Sequence, residues 1–254
     1  MHVLITGGTG FVGTRTRDLL LSQGHLVTIV TRKTKARAAL KNLQYVEHDP
    51  LSGPFPREAF HNSLGKVDAV INLMGENIGA GRWTDSMKEK IRSSRILGTT
   101  NLVAGIDQHL DSLEVLISAS AIGYYPANLE NEISEEDKSG SGFLPQVCAD
   151  WEKAAAACRK ARRVVYPRIG VVLGKGGGAL EKLIPIFKLG AGGPIGSGKA
   201  QMSWIHVDDL ARLLVWLLSS SIQGPVNAVA GQDSNYNFGK ALAKALHRPY
   251  LFPV

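Results

Sequence analysis

The first residues in this chain that could do chemistry are glycines. The apolar run HVLIT at 2–6 leads straight into Gly7-Gly8-Thr9-Gly10-Phe11-Val12-Gly13, and a helical pattern follows over 11–23. Gly7 permits a tight turn, Gly10 lets the backbone approach a pyrophosphate, and Gly13 lets the helix pack close to the strand. The phosphates would then meet the unpaired N–H groups and the positive dipole end of the helix. Thr9, Phe11 and Val12 complete the binding loop. The spacing Gly-x-x-Gly-x-x-Gly departs by one residue from the common dinucleotide fingerprint, but its setting between strand and helix is the required one.

The end of the second strand selects the dinucleotide. LVTIV at 26–30 is followed by Thr31-Arg32-Lys33, where an acidic residue would hold the ribose 2′-hydroxyl of NAD. A guanidinium at that point fits a 2′-phosphate, so NADP is expected as the cofactor. Asp49, after the third strand, admits two roles: accepting from the adenine amino group, or capping a turn with Pro50. The fourth strand ends in Leu73, Met74 and Gly75, which would pass beside the cofactor's ribose. A second glycine motif, GPIGSGKA at 193–200, lacks the hydroxyl that a triphosphate loop needs for magnesium, since Ala200 follows the lysine.

Strands must hold these segments. HVLIT, LVTIV, LQYVEH (43–48), DAVINLM (68–74), EVLISAS (114–120) and RVVYPRIG (163–170) alternate with helical patterns at 11–23, 83–108 and 146–161. Such alternation predicts an α/β fold, a Rossmann-type doubly wound parallel sheet over 1–169. Residues 170–254 read as a smaller substrate-binding or lid region that partly returns to the sheet. They hold a glycine-rich stretch around ALEKLIPIFKLG, a helix in WIHVDDLARLLVWLL opened by Asp208 or Asp209, and a short strand in GPVNAVAG.

Composition narrows the function classes. The formal charge of +7 could serve nucleic acid, but no aromatic-interleaved basic motif or zinc knuckle accompanies it. Basic clusters at 32–41, 82–95 and 159–168 fit phosphate-bearing small molecules equally well, so a small-molecule partner is expected rather than nucleic acid. The densest apolar run, LLVWLL at 213–218, is far short of the roughly 18–20 residues that span a bilayer. The chain opens with a strand where a signal peptide would have a charged segment, so no membrane association is expected. Cys148 and Cys158 show no metal spacing and read as reduced thiols of a cytoplasmic protein, with no metal site.

Taken together, TGGTGFVG, SASAIGYY (118–125) and WIHVDDLA (204–211) resemble the extended short-chain dehydrogenase/reductase superfamily. NLMGENIGAGRWTDSMKEKIRSSRILGT, ADWEKAA, VVLGKGGGAL and GGPIGSGKAQMSWIHVDDLA narrow the resemblance to an atypical branch. Its members are NAD-dependent epimerase/dehydratase-like proteins of the SDR39U1 type, and they usually continue past the point where this chain stops. The resemblance therefore implies further C-terminal residues.

In the superfamily a serine and a Tyr-x-x-x-Lys pair handle the proton while hydride moves at the nicotinamide. The resemblance puts Ser120 in the serine's place and matches Glu152 to a glutamate four residues after the lysine. Counting back, Cys148 stands at the lysine position and Leu144 at the tyrosine position. Leu144 has no proton to give, and a thiol supplies no fixed positive charge. Ser120 and Tyr124 are left as the candidate catalytic residues, although Tyr124 also matches a tyrosine that packs and shapes the pocket. Arg95 stands where an asparagine is usual and could bind a cofactor or substrate phosphate. Val172 is expected to touch the nicotinamide carboxamide, and the 83–108 helix could pair two subunits as a homodimer. Two functions fit: an NADP-dependent oxidoreductase or epimerase with a displaced acid–base group, or an NADP-binding sensor without turnover.

Overall fold

The computed structural model describes residues 1–34, 41–126, 132–194 and 196–250. Residues 35–40 of the first basic cluster, Ile195 of GPIGSGKA and the final 251–254 lie outside the described residues.

Six parallel strands lie side by side in the central sheet, β1 (His2–Thr6), β2 (Leu26–Thr31), β3 (Leu43–Glu47), β4 (Ala69–Asn72), β5 (Val115–Ser118) and β6 (Val164–Ile169), and Gly224–Ala228 extends the sheet beyond β6. All residues of β1, β4 and β5 are buried. These Val-, Ile- and Leu-rich runs do not alternate because both faces of the sheet are covered. The order is β3-β2-β1-β4-β5-β6, and every neighbouring pair is parallel. The order reverses between β1 and β4, and that switch point opens a crevice at the carboxyl ends of the strands.

Register sets the rim of the crevice. Val46 pairs with Val30, Val30 with Thr6, Thr6 with Asn72, and Asn72 with Ser118. The residues after Thr6, Asn72 and Ser118, namely Gly7, Leu73 and Ala119, therefore leave the sheet at one level, while β2 and β3 continue one residue further, with Thr31 opposite Glu47. Beneath them Asn72 ties the strands together. It accepts from the Thr6 hydroxyl at 2.6 Å and donates to Thr99 at 2.9 Å and Ser118 at 3.0 Å. The Trp151 indole N–H also donates to Thr99, at 3.0 Å, so this buried polar group is fully partnered.

The covering helices are α1 (Phe11–Ser22), α2 (Asp85–His109) and α3 (Phe143–Ala156). Leu102 and Ile106 of α2 pack with Phe55, Phe60, Leu4, Val70 and Leu116 in the core. The third helix starts and ends earlier than the 146–161 pattern suggests. Gly142, at φ 107°, turns the chain into it, and Pro145 falls in the first turn, where no N–H partner is needed. At its far end Asp107 accepts from the backbone N–H groups of Arg159 (3.1 Å) and Lys160 (3.2 Å), which holds the chain out of helix there.

The remaining elements are β7 (Val171–Leu173), α4 (Gly178–Lys188), β8 (Gln201–His206), α5 (Val207–Leu217), β9 (Gly224–Ala228), β10 (Gly231–Ser234) and α6 (Asn235–Ala245). The chain divides into two compact units. The first comprises Met1–Arg168 with Ala211–Asn227, and the second Ile169–Leu210 with the residues from Ala228 onward. Within the second unit β8 pairs in parallel with β7 and antiparallel with β10. Trp204, Ile205 and His206 are thus strand residues, and Asp208 and Asp209 lie in the first turn of α5 rather than opening it. Among the described residues, no helix is long and apolar enough to cross a membrane.

Candidate dinucleotide-binding cleft

The glycine loop is built as its spacing demands. Gly7 has φ 67°, and a β-carbon there would stand 2.5 Å from the Leu73 carbonyl oxygen. Gly13 lies against the Gly7 carbonyl oxygen, and a β-carbon on it would stand 2.6 Å from the Gly8 α-carbon. Gly10 precedes α1 in extended conformation. No side chain caps that helix, and no acidic residue lies in its first turn. Its N–H groups and positive dipole end are available to an anion. Gly13→Ala should force α1 away from the loop, at about 1–3 kcal/mol for the overpacking. Thermal unfolding and nucleotide titration would show both effects, and wild-type values in both would contradict this packing.

A cleft of ≈ 580 Å³ lies along this loop, a size that suits a small-molecule ligand. Gly7, Thr9 and Gly10 form its floor, and Leu73, Met74, Gly75 and Glu76 border it after β4. Val30, Thr31 and Arg32 border it at the end of β2, and Asp49, Pro50 and Leu51 after β3. Lys90, Ser93 and Ser94 contribute from α2. Arg32 is exposed, and no carboxylate pairs with it among the described residues. The carboxylate of Glu47 accepts instead from the Thr34 N–H (3.0 Å) and hydroxyl (2.8 Å), which fixes the turn that carries Arg32. Asp49 accepts from the Leu51 N–H at 3.1 Å, the turn-capping contact, while also lining the cleft.

Of the other expected cofactor residues, Phe11 and Val12 lie in the first turn of α1, and Val172 pairs with Ile205 in the second unit. Arg95 does not border the cleft itself. Its guanidinium occupies the space a Gly75 side chain would fill, with Cζ 3.0 Å from the β-carbon position. Lys90, Ser93 and Ser94 are not evident as cleft residues from the sequence, although their spacing places them on one helix face.

Ser120, Leu144, Cys148 and Glu152 do come together. The last three follow at intervals of four along α3, hence on one face. A β-carbon on Gly123 would meet Leu144 at 3.7 Å and the Cys148 sulfur at 3.9 Å, so α3 packs against the turn after β5. Burial, with help from the Glu152 carboxylate, pushes the Cys148 thiol up to about 11. Near pH 8 only roughly one molecule in a thousand would carry the thiolate. Thiol reagents should therefore label Cys148 slowly in the native protein and rapidly after denaturation. Fast native labelling would contradict this environment.

Ser120 is 2% exposed and donates its hydroxyl proton to Glu152 at 2.6 Å. Glu152 is gripped at both oxygens by Arg168, Nε and Nη2 each at 2.9 Å. Arg168 also donates to the Tyr125 hydroxyl at 2.8 Å, and Tyr125 donates on to Asn227 at 2.7 Å. Burial alone would lower the Arg168 pKa, but its hydrogen bonds to Glu152 and Tyr125 hold it above the ordinary value. Tyr124 stacks on the same guanidinium, its ring centre 3.6 Å from Cζ, a packing contact.

Residues 3–231 match the model of the NAD dependent epimerase/dehydratase family. This chain belongs to that family. It is 37% identical to the mouse epimerase family protein SDR39U1 over 262 residues, covering all of this chain and 84% of the mouse protein. It is 38% identical to the epimerase family protein YfhF of Bacillus subtilis over 259 residues, covering all of this chain and 82% of YfhF. Human epimerase family protein SDR39U1, crystallised with NADPH, superposes with a TM-score of 0.85 at 34% identity, covering all of this chain and 83% of the human one. The fold is thus shared with the human protein.

Proposed function

We propose that this protein binds NADP(H) in the cleft along the glycine loop and acts as an oxidoreductase or epimerase on a small molecule. The observation that carries this is Arg32, unpaired among the described residues, at the point of the cleft where a ribose 2′-phosphate would lie. The NADPH in the human relative's crystals supports the same choice. When bound, the nicotinamide supplies a hydride donor or acceptor. The first turn of α1 would hold the pyrophosphate, and Arg32 the 2′-phosphate. Two free thiols, Cys148 and Cys158, agree with a reducing cytoplasmic compartment.

Proton handling differs from that of a Tyr-x-x-x-Lys site. Leu144 carries no proton, and Cys148 is a neutral, buried thiol. Ser120 directs its proton at Glu152 and can offer a substrate only lone pairs. Proton exchange at the substrate oxygen is therefore left to the substrate or to solvent. The same observations favour a second reading, an NADP-binding regulator that does not turn over.

Incubation of the NADPH-loaded protein with carbonyl compounds and nucleotide sugars, following nicotinamide fluorescence, separates the two. Consumption of NADPH supports the oxidoreductase, formation of an epimer from a nucleotide sugar by the NADP-loaded protein supports the epimerase, and absence of both across the panel supports the regulator. Where turnover is seen, Ser120→Ala should lower it by about tenfold through the lost hydrogen bond to substrate, with NADPH affinity within twofold of wild type. An unaltered rate would remove Ser120 from the reaction.

A further inference from the structure

We propose that Ile78, Trp83 and Phe143 form an apolar ledge that receives a flat aromatic ring of the substrate, either an aromatic carbonyl compound or the base of a nucleotide sugar. The inference rests on the function proposed above, since it names the substrate class of the same site.

The chain leaves the cleft at Glu76 and reaches α2 through residues 77–84. This loop is built by its own short contacts. The Asn77 side chain accepts from the Gly79 N–H at 2.9 Å, and the Asn77 carbonyl from the Ala80 N–H at 3.0 Å. Thr84 caps α2, its hydroxyl accepting from the Met87 N–H at 3.2 Å, which fixes Trp83 just outside the helix. The Trp83 indole N–H donates to the Ile78 carbonyl at 2.8 Å and closes the loop. The one polar atom of the indole is thereby used, and what the ring shows outward is apolar.

Trp83 also meets α3. Its ring lies edge to face with that of Phe143, centres 5.8 Å apart at 69°. Phe143 is followed by Leu144, which occupies the position of the missing tyrosine and packs against Gly123 in the turn after β5. The ledge thus begins one residue from the place where a proton donor would stand. Despite these contacts Trp83 is 38% exposed and Ile78 43%. A large ring held that firmly and left open to solvent loses little entropy when a ligand covers it. An aromatic ring gains most there, because ring pairs attract each other beyond the area they bury.

Calorimetric titration of wild type, Trp83→Ala and Trp83→Phe with acetophenone, uridine and 2-octanone tests the ledge, with the protein free and loaded with NADP+. Acetophenone or uridine is expected to bind saturably, and whichever binds identifies the source of the ring. Trp83→Ala should weaken that binding by about tenfold or more, and Trp83→Phe should keep most of it. The open-chain 2-octanone should lose less. No saturable binding of either ring compound, or equal affinities in wild type and Trp83→Ala, would overturn the ledge. An equal loss for 2-octanone would overturn its preference for a ring. If wild type binds no NADP+ while a ring compound still loses affinity in Trp83→Ala, the cofactor assignment falls and the ledge stands. Should Trp83→Ala fail to fold, Ile78→Asp puts a charge on the ledge at an exposed position and leaves the carbonyl that holds Trp83. It is expected to weaken ring binding by a similar factor, and wild-type affinity in Ile78→Asp would overturn the proposal.

Discussion

Arg32→Glu is expected to lower NADPH affinity by about 100-fold or more while leaving NADH affinity within a few-fold. A charge-assisted hydrogen bond to a phosphate contributes about 1.5–3 kcal/mol, and each 1.4 kcal/mol is about tenfold in affinity. The new carboxylate adds repulsion against a 2′-phosphate, whereas it can accept from the 2′-hydroxyl of NADH. The turn that presents residue 32 is held by Thr34 on Glu47, so the substitution should not unfold it. Fluorescence titration with both nucleotides reads the ratio directly. Equal losses for NADPH and NADH would rule out a 2′-phosphate contact at Arg32.

Glu152→Gln carries the largest expected stability loss. The side chains of Arg168 and Glu152 are 4% and 12% exposed, so the variant leaves a guanidinium buried without its countercharge. Breaking such a pair from one side costs about 3–5 kcal/mol. It also takes a charged acceptor from the Ser120 hydroxyl. Urea unfolding should show the loss as a lower midpoint. The double variant Glu152→Met with Arg168→Met should recover much of it, because no charge is then left unpaired. A single variant as stable as wild type would mean that the ion pair is not buried as described.

The sheet was legible in the sequence because its strands are buried on both faces and read as unbroken runs of Val, Ile and Leu, as in HVLIT and AVIN. The glycine loop is legible for a different reason: Gly7 and Gly13 are fixed by close backbone approach, which no other residue type allows. The Glu152–Arg168 pair could not be read in this way. The two residues sit 16 apart on a helix and a strand, and only the fold brings them together. Lys90, Ser93 and Ser94 were equally hidden, since a basic helix face reads as solvated until a cleft is found beside it. The strand Gln201–His206 is not evident in the sequence because its polar and apolar residues do not alternate cleanly, and its parallel partner lies 33 residues earlier in the chain, Val171 opposite Trp204.

The central claim is that the cleft takes a dinucleotide bearing a 2′-phosphate. Titration of the wild-type protein with NADPH and with NADH, following the nicotinamide fluorescence of each, tests it most directly. Saturable NADPH binding, at least tenfold tighter than NADH binding, is the expected result for one charge-assisted contact. No saturable binding of NADPH, or equal binding of the two, would contradict it.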